Sequence, residues 1–147
     1  LSFILLGIYW IRHQLQFKHI KEADRNLLWI NIFFLVFVGL LPFSTGILMK
    51  YTGLEVAQFL YSLNLLFIGL ALAVHWRYAS KDYRLINKDL PKDYIKASSL
   101  LIYSVPVVFL VCCLIALFSP RASLTFMYLI PIMFAVAKFF EKRRKKI

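Results

Sequence analysis

Four stretches of this chain are apolar over about the length a helix needs to cross a bilayer, and that constrains its fold more than any other feature. At 1.5 Å per residue, a hydrocarbon layer of about 30 Å takes roughly 20 residues. Leu27–Met49, Leu54–Trp76 and Ser99–Phe118 meet this comfortably. Ala122–Phe140 is shorter in purely apolar content and carries Lys138 near its end, where a lysine can snorkel to the interface. The chain is 61% apolar and 17% charged, against roughly 45–50% and 25% for a soluble domain. Its mean hydropathy of +0.73 therefore excludes a soluble enzyme or a disordered tail. The excess of 18 Lys and Arg over 7 Asp and Glu would suit a nucleic-acid module, but the cations fall between and after the apolar runs. The reading is an all-α, polytopic helical membrane protein forming a single domain over 1–147.

Five helices are expected, at about 1–20, 27–49, 54–87, 91–118 and 122–140, with 141–147 a basic tail. The first is only half a span, and the chain opens on Leu1 with no signal-peptide pattern, so a further apolar helix is expected upstream. All but two of the cations lie in the loops 12–25 and 77–96 and from Lys138 onward; Lys50 and Arg121 are the exceptions. The positive-inside rule then places those loops and the C-terminus in the cytoplasm, in a multi-pass protein of the cell membrane. Trp10, Trp29 and Trp76 sit at the same ends of their spans and read as an aromatic belt. Basic residues spaced three and four apart after Trp76 suggest that the helix runs on to about Asn87. Pro91 then suits the first turn of the next helix. The basic elbow reads as a solvated loop or a patch for anionic headgroups.

Catalysis has little to work with. The apolar runs hold no charged residue near mid-depth, and no phosphate loop or nucleophile elbow is present. His13, His19 and His75 have no i,i+4 spacing, so no metal site is expected, and Cys112 and Cys113 read as small packing residues. Pro42, Pro106 and Pro131 interrupt the helical hydrogen bonding inside spans, which neighbouring side chains must make good. Asn64 lies near mid-membrane, where it must bond another helix or stand on an ion path. Gly69 and Ala73 form a small-xxx-small pair that favours close helix approach. Trp10 and His13 share a helical face, and helical rise brings Asn31 to a similar depth. They read as a buried polar cluster, or as interfacial residues beside an unrelated amide.

A resemblance starts from these residues. Gly7-Ile8-Tyr9-Trp10 with His13, Asp24-Arg25 with Leu28-Trp29 and Asn31, Leu41-Pro42-Phe43, Leu63-Asn64-Leu65-Leu66 and Trp76-Arg77-Tyr78-Ala79 are similar, in order, to the transmembrane protein 175 family of potassium channels. The similarity covers about 1–80. It implies six helices per repeat, a homotetramer in the single-repeat bacterial forms, and a pore on the common axis lined by a first helix that carries Arg-x-x-x-Phe-Ser-Asp. That helix is not in this sequence, so no pore residue is assigned. Trp10, His13 and Asn31 match positions resembling the partners of the signature's polar side chains. The expectation is a clamp of His13 against a buried carboxylate, with His19 inert in its loop.

The resulting expectation is a potassium-permeable channel subunit, conducting passively without cofactor or nucleic acid. Its partners would be potassium ions, further copies of the chain and anionic lipid. A secondary transporter and a non-conducting scaffold are the alternatives.

Overall fold

A computed structural model describes residues 1–128, 130 and 131. The helices are α1 (Ser2–His19), α2 (Arg25–Lys50), α3 (Glu55–Ser80) and α4 (Lys92–Ala116), and residues 120–128 begin α5. Three helical stretches, Arg25–Lys50, Glu55–Tyr83 and Lys92–Ala116, are long and apolar enough to span a membrane. This is a multi-pass membrane protein. The expected span 122–140 lies only partly within the described residues, and Lys138 and the tail 141–147 lie outside them.

α3 is the central helix: Tyr61, Leu65, Ile68, Leu72 and Trp76 are all buried. α2 and α4 run antiparallel to it, as the pairs Ser44–Asn64 and Trp76–Ser99 require. α2 faces outward along most of its length. Phe33, Leu40 and Phe43 are exposed, as side chains facing hydrocarbon would be.

α1 runs parallel to α3 and is attached differently. Ser2, Tyr9 and Gln16 recur every seven residues, which keeps them on one seam. Each reaches α3: Ser2 Oγ lies 2.9 Å from the Tyr61 hydroxyl, Tyr9 O–H donates to the Leu65 carbonyl (2.7 Å), and Gln16 Nε2–H donates to the Leu72 carbonyl (3.2 Å). Leu5 fills the space between the first two.

At the basic end, the elbow differs from the expected straight extension to Asn87. α3 stops at Ser80, a 3-10 turn covers Lys81–Tyr83, and Asp82 and Tyr83 have φ of 53° and 54°. The reason is Ile86. On a helix running out of the bilayer it would stand in water; turned back, it is 4% exposed among Leu27, Ala73, Trp76, Ala79 and Ile102. The two left-handed residues cost about 1–2 kcal/mol each. Burying Ile86 returns about 1.5–3 kcal/mol, and backbone pairing adds to it. Leu85 N–H donates to Ala79 O (3.0 Å), Lys21 N–H to Leu85 O (2.9 Å) and Asn87 N–H to His19 O (3.2 Å), around an Ile20–Ile86 bridge. Apolar content, rather than the spacing of cations, decides where α3 ends.

Trp76 is likewise not a belt residue. It is 1% exposed, and its indole N–H donates to Ser99 Oγ (3.0 Å). Trp10 and Trp29, each more than half exposed, do face outward. Pro91 caps α4 from just outside it.

Asp24 closes the same end. Its Oδ1 accepts from Leu27 N–H (2.8 Å), capping α2, and its Oδ2 accepts from the Tyr78 hydroxyl (2.6 Å). The Tyr78 hydrogen bond first, and the cap second, hold this carboxyl below its ordinary value of 3.8. Its folded-state pKa is depressed, so its stabilisation is present above pH 3.8 and is lost as pH falls through the lowered value. Asp24→Ala should flatten the acid limb of a stability–pH curve and leave its alkaline limb unchanged. Ile86→Ala should destabilise the protein by about 2–4 kcal/mol in chemical unfolding. It should also expose the Lys21 and Asn87 amides to hydrogen exchange, whereas Lys88→Ala should do neither.

Candidate functional site

The seam that fastens α1 also carries the polar cluster. His13 is 7% exposed, and its Nε2 lies 2.7 Å from Asn31 Oδ1. An amide oxygen only accepts, so Nε2 carries the proton and donates. The ring is covered by Phe34, stacked at 4.7 Å and 8°, and by Trp10 at 5.8 Å and 23°. Trp10, 55% exposed, screens the imidazole from outside instead of being buried with it. With Nε2–H donating, Nδ1 offers a lone pair, and it has no partner among the described residues. A neutral ring in this tautomer cannot donate to a carboxylate. A donor would complement that lone pair in the neutral ring, whereas the carboxylate of the expected clamp would complement the doubly protonated ring.

A second imidazole lies beside the first. His75 Nδ1–H donates to Gln16 Oε1 (2.7 Å), and the two histidine rings are 5.9 Å apart. Phe17 packs on both, at 4.8 Å from His13 and 5.0 Å from His75. Neither Gln16 nor His75 emerges as a site residue from the sequence. His75 enters there only among three histidines without metal-ligand spacing, and Gln16 not at all. The available signal was the seven-residue recurrence of Ser2, Tyr9 and Gln16. Among the described residues, no group of three or more His, Cys, Asp or Glu is placed to hold a metal ion.

Asn64 lies three turns from His75 along the same side of α3 and meets α2 in the turn before Pro42. Oriented to satisfy both ends of its amide, it donates from Nδ2 to the Phe37 carbonyl (3.1 Å). Its Oδ1 accepts from Leu41 N–H (3.2 Å) and from Ser44 O–H (3.1 Å). Phe37 and Leu41 are the i and i+4 partners of the turn just before Pro42. The side chain of one helix thus bridges two backbone groups of another in the turn before Pro42, whose own missing N–H concerns the neighbouring Val38 carbonyl. Gly69 lies where α1, α3 and α4 converge: a Cβ there would sit 3.4 Å from Pro106 N, Tyr9 Oη and Val105 Cγ1. Ala73, one turn on, packs with Leu27 and Ile102. His19, at the end of α1, has its Nε2 2.8 Å from the Tyr94 hydroxyl of α4, an exposed contact.

Residues 1–42 match the model of the endosomal/lysosomal potassium channel TMEM175 family, a stretch that includes Trp10, His13 and Asn31. A potassium channel of Streptomyces collinus is 29% identical over 90 residues, covering 58% of this chain and 44% of that protein. A potassium channel of a Chryseobacterium species is 39% identical over 44 residues, covering 30% and 23%. The fold is similar to the crystal structure of a lysosomal potassium-selective channel TMEM175 homolog from Chamaesiphon minutus. That comparison gives a TM-score of 0.81 at 22% identity over 92% of this chain and 69% of that one. The chain is thus similar to TMEM175 channels in its first 42 residues and in its fold. It spans less than half the length of the Streptomyces relative. The TMEM175 match ends at Pro42 itself, so the splice by Asn64 joins the matched segment to α3.

Asn64→Leu should cost about 1–3 kcal/mol in chemical unfolding of the detergent-solubilised protein, because it removes the bridge to the Phe37 carbonyl and the Leu41 amide.

Proposed function

We propose that the chain is a subunit of a potassium-permeable channel, conducting passively through a pore on the axis of a homotetramer. The observation that carries this reading is the coincidence of the family match with the His13–Asn31 pair. The segment most like the family is also the one that presents a buried imidazole lone pair with no partner among the described residues. The pore helix is proposed to precede Leu1, with one of its donors, a guanidinium, hydroxyl or indole N–H, reaching His13 Nδ1. Trp10, His13 and Asn31 would then couple the scaffold to that helix, while Asn64, Gly69 and Ala73 hold the scaffold together.

Passive transport is supported by the make-up of the three spanning helices, whose only acidic residues, Glu55 and Asp93 in their first turns and Asp82 in the terminal 3-10 turn, lie at helix ends. Ion-coupled transporters usually place carboxylates within the bilayer. The basic end, with Lys18, Lys21, Arg84 and Lys88 exposed, is proposed to face the cytoplasm of the cell membrane and to lie against anionic headgroups.

The full-length protein in liposomes should release potassium down its gradient with no second ion and no nucleotide. Flux that strictly requires a proton or sodium gradient would replace the channel with a transporter. His13→Ala should lower the thermal dissociation midpoint of the solubilised oligomer, corresponding to about 1–3 kcal/mol. Asn31→Ala added to it should change little more, because the two residues share one hydrogen bond. For topology, Thr52→Cys in a background free of Cys112 and Cys113 should react with an impermeant thiol reagent from outside, and Lys88→Cys only from inside.

A further inference from the structure

Gln16 lies one turn from His13 on α1, and its single amide makes two contacts with α3, both buried. Nε2–H donates to the Leu72 carbonyl (3.2 Å), and Oε1 accepts from His75 Nδ1–H (2.7 Å). Gln16 is 2% exposed and His75 1%. One amide held at both ends resists sliding of α1 along its axis as well as rotation about it. Packing alone gives α1 less support than this. Apolar crevices flank it on both sides, one toward α2 between Gly7 and Val38 and one toward α4 between Ile8 and Val105. A turn of one residue, about 100°, would carry His13 away from Asn31 altogether.

We propose that Gln16 and His75 are positioning residues for conduction, holding α1 in the rotation that presents His13 to the pore helix. This rests on the channel reading above and adds to it the elements that set the site from α3. His75 acts through its Nδ1–H alone; its Nε2 is buried and has no partner among the described residues. Asparagine can place an N–H donor where imidazole has Nδ1. Glutamine places one where imidazole has Nε2.

The test compares His75→Asn, His75→Gln and His75→Ala in full-length protein reconstituted in liposomes. It has two readouts: potassium flux, and the distance distribution between spin labels at Ile11 on α1 and Phe33 on α2. His75→Asn should retain the parent distance and most of the flux. His75→Gln and His75→Ala should broaden the distance and reduce flux about tenfold. Met127→Ala, a cavity against the far end of α3 from this amide, should lower the melting temperature while leaving the distance unchanged and flux near the parent level. The proposal is overturned if His75→Ala keeps a sharp parent-like distance. It is also overturned if His75→Asn behaves like His75→Ala, or if Met127→Ala loses flux as steeply at equal loss of stability. A parent protein that passes no potassium would defeat the channel reading, and the distance measurements would still decide whether His75 Nδ1–H fixes α1.

Discussion

A hydrocarbon layer offers no hydrogen bonds, so a polar group inside it has to be answered by the protein, and in this chain the answers come mainly from α3. α1 is fastened to it through Ser2, Tyr9 and Gln16, and α2 is bridged by Asn64. α4 is met by the Trp76 indole at one end, and at the other Gln58 donates to Ser123 of α5 (3.1 Å). Apolar packing inside a bilayer gains little over contact with lipid tails, which are equally apolar. Each of these polar contacts therefore specifies a position along or around a helix that packing would leave nearly free.

Hydropathy made the three described spans legible in the sequence, with ends up to seven residues from those of the helical stretches, because the bilayer selects for length and apolarity before anything else. The depth match of His13 and Asn31 was legible too, since helical rise converts sequence spacing directly into height. What was not legible depends on rotation and on long-range contact. Trp76 had the position of a belt residue and the orientation of a core residue, and only the packing of α4 decides between them. The end of α3 was misjudged because cations at three- and four-residue spacing describe a helical face equally well whether or not a helix continues. The tautomer of His13, and with it the kind of partner it accepts, required knowing which atom of Asn31 it meets.

The cluster around His13 also divides the labour between polar and aromatic groups. Asn31 fixes one nitrogen, while Phe34, Phe17 and Trp10 close the ring in. The screening matters because a hydrogen bond strengthens as water is excluded, and an unsatisfied partner becomes correspondingly more costly. Trp10 does this while more than half exposed.

The Asn64 bridge implies something about how α2 can change shape. A proline bend is ordinarily a property of the helix that contains it, free to flex as its own turns allow. Here two groups of the turn before Pro42 are joined through a side chain rooted in another helix. A change in the backbone of α2 at this turn would therefore have to be matched, or its hydrogen bonds given up, at Asn64 on α3.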